Sequence, residues 1–375
     1  MSVSIGVEPE GSAAGTRRVL ASFTVALACL ALSGPASPTP FDIRVGTIAI
    51  AVVLGLTTSR SRSCRSQYRS LVGAGVLVAW LLISSAWSSG TLLQVIAQMT
   101  FIAVIALLVW AMIERRIDLR ASISLLGVAA IGVSIALWIA APERALVGGR
   151  LVGFMSSATG FADLVVLVTP AIVASRRRAW VMWPVAGVLV WASGTRGAAL
   201  ALLVGLISSV FGRAKFGGRV LLVAGLGATL YFTLPSILAE ATVAGAGSST
   251  LLRGNNSRAA VWSRAWESAQ NHVVFGAGLG SPTSETGSSI LAVLIEFGVV
   301  GMLLVGIVVF TAFRRRESLA DWRFTTVLAG SVLALFEGWL VSAGTVFSAI
   351  YWLCVVSLIA GAPRPLQREM FAPAK

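Results

Sequence analysis

The sequence is poor in charge and in metal-binding side chains. Only 12% of its 375 residues are charged, and it has one histidine, His272, and three cysteines. A soluble domain carries about a quarter charged residues, so this composition argues against a soluble protein. One histidine cannot build a histidine-based metal centre, and the spacing of the cysteines fits neither a zinc site nor a disulfide framework. We therefore expect no metal and no cofactor.

Acidic residues are particularly scarce. There are 15 of them against 29 lysines and arginines, a formal net charge of +14. In a soluble protein this balance would suggest a nucleic-acid partner. With 57% hydrophobic residues, the excess is instead interpreted as the positive-inside bias of membrane proteins, whose cytoplasmic loops are rich in arginine and lysine. No nucleic acid is expected as a partner, whereas membrane lipids are.

Long apolar runs are abundant and predict an all-α polytopic membrane protein with about 12 transmembrane helices. The first run follows Arg17-Arg18 and fits either a cleaved signal peptide or a first helix; we favour the helix because more spans follow. The strict alternation of apolar and polar residues that is typical of a transmembrane β-barrel is absent. The predicted spans are 19–32, 43–58, 71–87, 92–113, 121–141, 152–174, 179–193, 197–212, 220–238, 288–313, 324–341 and 345–361.

Basic residues separate cleanly between alternate connections. One set of connections holds 22 of the 29 lysines and arginines, whereas the other holds six and one lies inside a span. Both termini are then predicted to be cytoplasmic. The chain divides into a cytoplasmic tail (1–18), nine helices (19–238), one large extracytoplasmic loop between helices 9 and 10 (239–287), three helices (288–361) and a second cytoplasmic tail (362–375).

Three acidic residues fall within the predicted spans: Asp163, Glu296 and Glu337. Ionisable groups at membrane depth are costly and are functional candidates by default. We expect Asp163 and Glu296 to pair with arginines on the outer side and to aim them. Glu337, predicted near mid-span, is open to two interpretations, a proton or ion route and a structural pair. No internal repeat or matched pair of interrupted helices is evident, which counts against a transporter.

Arginines on the outer side run against the charge bias. Arg150 and Arg196 flank predicted spans, and Arg258 and Arg264 lie in the large loop. A guanidinium group binds phosphate oxygens in a two-pronged fork and stays charged at any working pH. Together they form the predicted substrate-binding set for a lipid pyrophosphate. Contact with anionic lipid headgroups is the alternative.

The large loop contains one predicted helix. Asn256-Ser257 fits an N-cap, and Arg258, Trp262 and Trp266 then follow at intervals of four residues on one helix face. Such a face suits a helix that lies at the membrane surface, or one that packs on the bundle. The GAGLGS segment that follows predicts a turn, and its glycines do not follow a strand, which argues against dinucleotide binding.

With these motifs in place, the chain resembles the O-antigen ligase and O-antigen polymerase family of membrane glycosyltransferases. The resemblance rests on the topology and on an ordered series of motifs in the second half of the chain. The motifs are RLVGF at 150–154, SGTRGA at 193–198, Arg258-x-x-x-Trp262, Phe275-Gly276-x-Gly278 and the LxxLxExGxxG-like run 291–301.

The resemblance implies transfer of a glycan from an undecaprenyl-pyrophosphate carrier to a glycan or lipid acceptor. The reaction would take place outside the cytoplasmic membrane of a bacterium, during surface polysaccharide assembly. Arg150, Arg196 and Arg258 match the positions that would hold the pyrophosphate. No metal or nucleotide sugar is implied.

One departure concerns the catalytic base. The family carries a His-Asn pair shortly before its Glu-x-Gly element, and this chain has Gly287-Ser288 there. Glu285, two residues away, is the predicted substitute, and His272 is its rival. Two other interpretations stay open: a transporter of lipid-linked oligosaccharide or of a solute, and a non-catalytic relative that binds lipid-linked glycan.

Overall fold

The protein is mostly helical. The computed structural model describes residues 71–115, 118–175, 177–213, 259–281, 287–315, 318–319, 321–340 and 345–361. Within these ranges the α-helices are α1 (Val72–Ile83), α2 (Leu92–Arg115), α3 (Leu119–Ala140), α4 (Pro142–Ala145), α5 (Ala158–Ser175), α6 (Met182–Ser193), α7 (Arg196–Arg213), α8 (Ala259–Gln270), α9 (Ser289–Arg314), α10 (Trp322–Phe336) and α11 (Val346–Ala360). Two short strands, β1 (Leu146–Val147) and β2 (Arg150–Leu151), form a hairpin. Two 3-10 turns lie at Ser84–Trp87 and Arg177–Val181.

Nine of the predicted spans coincide with helices. Four of these, α2, α3, α5 and α9, contain stretches long and apolar enough to cross a membrane, and the other five are shorter apolar helices. The predicted spans 19–32, 43–58 and 220–238 lie outside the described residues. The count of 12 spans and the placement of the large loop therefore stay predictions.

Helix α5 forms the centre of the bundle. Every residue from Phe161 to Val173 is buried, and the helix packs against α3, α6, α7, α10 and α11. A helix that is apolar on all sides belongs in such a position. Small residues permit the close crossings, because a Cβ at Gly127 of α3 would lie only 2.7 Å from the Val168 side chain.

Three arginines connect helices at one end of the bundle. Each donates to a carbonyl group in the last turn of a helix, where a cation also complements the helix dipole. The bonds join Arg120 to Ala174 (3.4 Å), Arg315 to Ile359 (3.1 Å) and Arg323 to Ser357 (3.2 Å). All three arginines come from connections predicted to be cytoplasmic. The hairpin and the sites described next lie at the other ends of these helices.

Candidate functional site

Arg150 is positioned by the β-hairpin. Val147 pairs with Arg150 and Leu146 with Leu151, so that only Gly148 and Gly149 form the turn. Their φ angles of 57° and 73° match the two-residue turn that requires positive φ at both central residues, a conformation that glycine adopts without strain. The Gly-Gly pair therefore permits the tight turn that sets the position of Arg150.

The guanidinium group of Arg150 is bound to the connection between α6 and α7. Its Nε donates to the Ser193 carbonyl oxygen at 2.7 Å, and its Nη2 donates to the Thr195 hydroxyl at 3.3 Å. Thr195 is only 5% exposed. Two donations from one planar group to two buried partners fix its orientation.

Arg196 lies at the same connection. Gly194 ends α6 with a left-handed conformation (φ 66°), and Arg196 is the first residue of α7. Its side chain is exposed. Thr195, which receives the Arg150 bond, directly precedes it. The structure thus brings together two predicted substrate-binding residues that are 46 positions apart in the sequence.

The N-terminal ends of α7, α9 and α11 lie around the segment 337–340. A Cβ at Gly197 of α7 would lie 3.0 Å from Phe336, and Ser348 of α11 donates to the Leu340 carbonyl at 2.8 Å. Ser289 of α9 bonds to this segment twice, donating to the Glu337 carbonyl at 2.5 Å and accepting from the Leu340 amide at 3.0 Å. None of the three helices has an acidic residue in its first turn. Their dipoles and Arg196 contribute positive charge at this end, and Glu337 contributes a negative charge.

Glu337 does not lie inside a helix, contrary to the prediction for the span 324–341. Helix α10 ends at Phe336, and Glu337 is its extended C-cap residue, with φ −134° and ψ 138°. Its half-buried side chain thus belongs to the segment on which the three N-terminal ends converge. At this extended residue the carbonyl of Glu337 accepts a hydrogen bond from the Ser289 hydroxyl of α9.

Helix α9 is interrupted at Gly298, which has φ 65° and ψ −167°. In a continuous helix the amides of Val299 and Val300 would bond to the carbonyls of Ile295 and Glu296. Here all four groups bond instead to the preceding loop. The amides donate to the carbonyls of Val273 (2.8 Å) and Val274 (3.3 Å), and the carbonyls accept from the amides of Ala277 (2.7 Å) and Gly278 (2.9 Å). Each of these four groups thus has a new partner, as an interruption within a membrane-spanning helix would require.

This exchange explains two of the sequence motifs. A Cβ at Gly276 would collide with the backbone of Glu296 and Phe297, and a Cβ at Gly298 would collide with the Val274 carbonyl. Both glycines also have positive φ. The Phe275-Gly276-x-Gly278 and Glu296-x-Gly298 motifs are therefore two sides of one contact, an arrangement that the sequence did not predict.

A second segment holds the loop from the other side. The Ser88 hydroxyl donates to the Leu279 carbonyl at 2.7 Å, and the Ser89 amide donates to the Ala277 carbonyl at 2.9 Å. Residues 84–90 connect α1 and α2, at an end predicted to lie outside, as is the loop. The loop is consequently held between α9 and the α1–α2 connection.

Glu296 and Asp163 are both buried, with exposed fractions of 1% and 2%. Glu296 lies two residues before the interruption of α9, and its carbonyl accepts one of the four exchanged bonds. Asp163 lies in the second turn of the central helix α5. That these carboxylates aim the outer arginines stays a prediction.

The loop helix predicted around Trp262 and Trp266 is present as α8. It packs on α9 through Ala265 and Ala269, which contact Leu294 and Ile295. Trp266 is 53% exposed. Packing on the bundle, one of the two interpretations, is confirmed, and contact of this helix with the membrane surface stays a prediction. Arg264 is exposed on α8.

The position of the absent histidine lies beside α8. Gly287 has φ 57°, and a Cβ there would lie 3.6 Å from Nε1 of Trp262. Arg258 and Glu285 lie outside the described residues. His272 is exposed, and its carbonyl accepts the Gly276 amide at 2.9 Å. The side chains around it are Trp80, Trp87 and Phe275, with which it lines one cleft.

No family model matches this sequence, and no curated protein matches it. The described residues define a class: a mostly helical protein with four helices long and apolar enough to cross a membrane. Within that class, its distinguishing features are a hydrogen-bonded arginine at the α6–α7 turn and one interrupted helix bonded to a loop.

Proposed function

We propose that this protein is a membrane glycosyltransferase of the ligase or polymerase type, situated in the cytoplasmic membrane of a bacterium. It would transfer a glycan from undecaprenyl pyrophosphate to a hydroxyl acceptor on the outer side. The observation that carries the proposal is the contact of Arg150 with Ser193 and Thr195, directly beside Arg196. Arg150 thus bonds to the connection that carries Arg196, and the sequence singled out both arginines for pyrophosphate binding.

The electrostatics of this region favour a dianionic or trianionic group. An arginine at the start of a helix adds its charge to the positive end of the helix dipole, which is unfavourable unless an anion binds. Arg196 occupies this position on α7, whose first turn has no acidic residue. Helix N-terminal ends bind phosphate readily. The two arginines and the converging ends of α7, α9 and α11 thus supply positive charge for a pyrophosphate, against the single negative charge of Glu337.

The proposed chemistry is a substitution at the anomeric carbon. An oxygen of the acceptor hydroxyl forms a bond to this carbon, and the bond to the phosphate oxygen breaks. Undecaprenyl pyrophosphate leaves with the electron pair, and the hydroxyl proton passes to a base. Arginines stabilise the charge that develops on the leaving oxygen.

The base is proposed to be Glu285, with His272 as the rival. Help from a general base typically contributes about 10²–10⁴-fold to the rate. Glu285 lies two residues from Gly287 in the sequence, where the family has its histidine, and it would be kept ionised if the outer arginines lie close to it. His272 lies 15 residues from that position and lines a cleft with aromatic side chains.

A transporter is the second candidate, and one observation favours it. Interrupted helices are a recurring feature of transporter binding sites, and α9 is interrupted at Gly298. A transporter would use the same arginines to hold the lipid-linked glycan and would leave its glycosidic linkage intact. The loss of the family histidine at position 287 is consistent with a third candidate, a non-catalytic glycan-binding relative.

One experiment separates the three candidates. The protein would be reconstituted with a lipid-linked glycan donor and an acceptor from its own host, and the release of undecaprenyl pyrophosphate would be followed. We expect release with the wild-type protein and a strong loss in Arg196→Ala. Movement of intact donor across the vesicle membrane would indicate transport. Binding without either would indicate the non-catalytic relative.

A further inference from the structure

A cleft with aromatic walls lies at the end of α1. It is lined by Trp80, Ile83, Trp87 and residues 271–276, and its volume is about 650 Å³. We call it the aromatic cleft. Drug-sized ligands occupy pockets of about 300–1,000 Å³, so the cleft is large enough for one or two sugar rings.

Three aromatic rings form its wall. The ring centroids of Trp80 and Trp87 are 5.7 Å apart, those of Trp80 and Phe275 are 6.0 Å apart, and those of Trp87 and Phe275 are 6.4 Å apart. Phe275 is 57% exposed and Trp87 is 39% exposed. Rings in mutual contact would normally bury more of their surface, so these two present ring area for another molecule.

The rings are held on rigid backbone. Phe275 lies within the loop 273–278, whose amides and carbonyls are bonded to the interruption of α9. Trp87 immediately precedes Ser88, whose hydroxyl donates to Leu279 of the same loop. The two exposed rings are thus connected through one hydrogen-bonded junction. Preorganised aromatic surfaces bind without the entropic cost of ordering flexible side chains.

The chemistry of the lining selects among ligands. Pyranose rings have an apolar C–H face, which packs on aromatic rings, and hydroxyl groups that need hydrogen-bond partners. Asn271 and His272 supply an amide and an imidazole beside the rings, and both groups can donate and accept. The described residues that line the cleft include neither lysine nor arginine, so a phosphate group would not be favoured there.

We propose that the aromatic cleft binds a neutral pyranose ring of the glycan that the protein handles. The inference rests on the proposed function, because that function brings glycan to the outer side, where Trp87 and the loop are predicted to lie. It adds a sugar-recognition site whose ligand chemistry differs from that of the arginine site. Aromatic residues also anchor proteins at the membrane interface. The test must therefore distinguish sugar binding by these rings from membrane anchoring.

The test is saturation-transfer NMR on the full-length protein in nanodiscs. The probes are the methyl glycosides of glucose, galactose, mannose, rhamnose and N-acetylglucosamine. The variants Trp87→Leu and Phe275→Leu keep an apolar side chain but remove the flat ring, and Phe275→Tyr keeps the ring. Trp266→Leu is the matched control, since Trp266 is an exposed tryptophan on α8.

We expect signals on the ring C–H protons of at least one glycoside with the wild-type protein. The two leucine variants should weaken its binding by about tenfold, in line with the energy of ring stacking. Phe275→Tyr and Trp266→Leu should bind as the wild type does. Equal signals in the leucine variants, or no signal from any glycoside with the wild-type protein, would overturn the inference.

Failure of the inference and failure of the proposed function are distinguishable. Ring-dependent sugar binding without release of undecaprenyl pyrophosphate would support the sugar site and contradict the proposed transferase activity. Release of undecaprenyl pyrophosphate without ring-dependent binding would support the transferase activity and contradict the sugar site. In that case, reduced insertion or stability in Trp87→Leu and Phe275→Leu would identify the rings as membrane anchors.

Discussion

The carbonyl group of Val274 lies where a Cβ atom at position 298 would have to be. Because Gly298 also has φ 65°, any other residue there would meet both this steric collision and an unfavourable backbone conformation. We expect Gly298→Ala to lower the free energy of unfolding by at least about 1–3 kcal/mol, the cost of a non-glycine residue in such a conformation. Thermal unfolding in detergent would measure the change.

Gly306 provides the control within the same helix. A Cβ there meets nothing within 4 Å, and alanine is favoured over glycine in a helix by about 1 kcal/mol. Gly306→Ala should therefore be neutral or slightly stabilising. Equal thermal unfolding midpoints for Gly298→Ala and Gly306→Ala would contradict the tight contact between Gly298 and the loop.

Arg150→Lys tests the arginine site. A lysine keeps the charge but cannot donate to Ser193 and Thr195 from one planar group. A hydrogen bond to a charged group contributes about 1.5–3 kcal/mol, so donor turnover should fall by roughly 10- to 100-fold. Arg144→Lys is the control, because Arg144 is exposed on the short helix α4. Full turnover by Arg150→Lys, at an unchanged thermal midpoint, would exclude a positioned guanidinium.

Ser289→Ala tests the junction between α9 and the segment after α10. Removal of the hydroxyl leaves the Glu337 carbonyl and the Leu340 amide without this partner. A buried polar group that loses its partner costs about 1–3 kcal/mol, and the thermal midpoint should fall accordingly. Ser175→Ala removes only a bond to the preceding turn of its own helix and should have little effect. A midpoint for Ser289→Ala as high as that of Ser175→Ala would contradict the junction.

Membrane topology is tested with single cysteines. Val147 is 60% exposed on the hairpin, and Leu319 is 36% exposed near Arg323 at the other end of the bundle. In a background without the three native cysteines, an impermeant thiol reagent added to intact cells should label Val147→Cys and not Leu319→Cys. Labelling of Leu319→Cys and not of Val147→Cys would show that the orientation is opposite to the predicted one.

The catalytic base is tested by three variants in the transfer assay. We expect Glu285→Gln to lose activity with donor binding intact, and His272→Ala to remain active. Gly287→His should raise activity if the family position still faces the substrate. The added Cβ would lie 3.6 Å from Nε1 of Trp262, an ordinary contact, but the φ of 57° strains any side chain, although histidine tolerates it better than most residues. Full activity in both Glu285→Gln and His272→Ala would remove both candidates.

The sequence predicted the apolar helices well, because each is marked by its own composition. It grouped Arg150 and Arg196 by their predicted place on the outer side and by the family resemblance, but the hydrogen bonds to Ser193 and Thr195 leave no local signal. The Gly-Gly pair before Arg150 was the one usable sign of the hairpin. The extended conformation of Glu337 was not predicted, because its carbonyl bonds to Ser289, a residue 48 positions away that gives no local signal.

The interruption of α9 was missed for a related reason. A glycine between apolar residues is common in membrane helices, and nothing near Gly298 indicates that Val299 and Val300 bond elsewhere. The exchange with residues 273–278 becomes evident only when both segments are seen together. The contact of α8 through Ala265 and Ala269 was likewise not predicted, because alanines give a weaker sequence signal than tryptophans.

The exchanged hydrogen bonds also constrain how the chain enters the membrane. If α9 passed into lipid alone with its interruption, two amides and two carbonyls would have no partner, at a cost of several kcal/mol each. Residues 273–278 precede α9 in the chain and are therefore synthesised first. We therefore expect the loop and the helix to leave the insertion machinery already paired, so that integration of α9 would depend on a segment predicted to lie outside the bilayer.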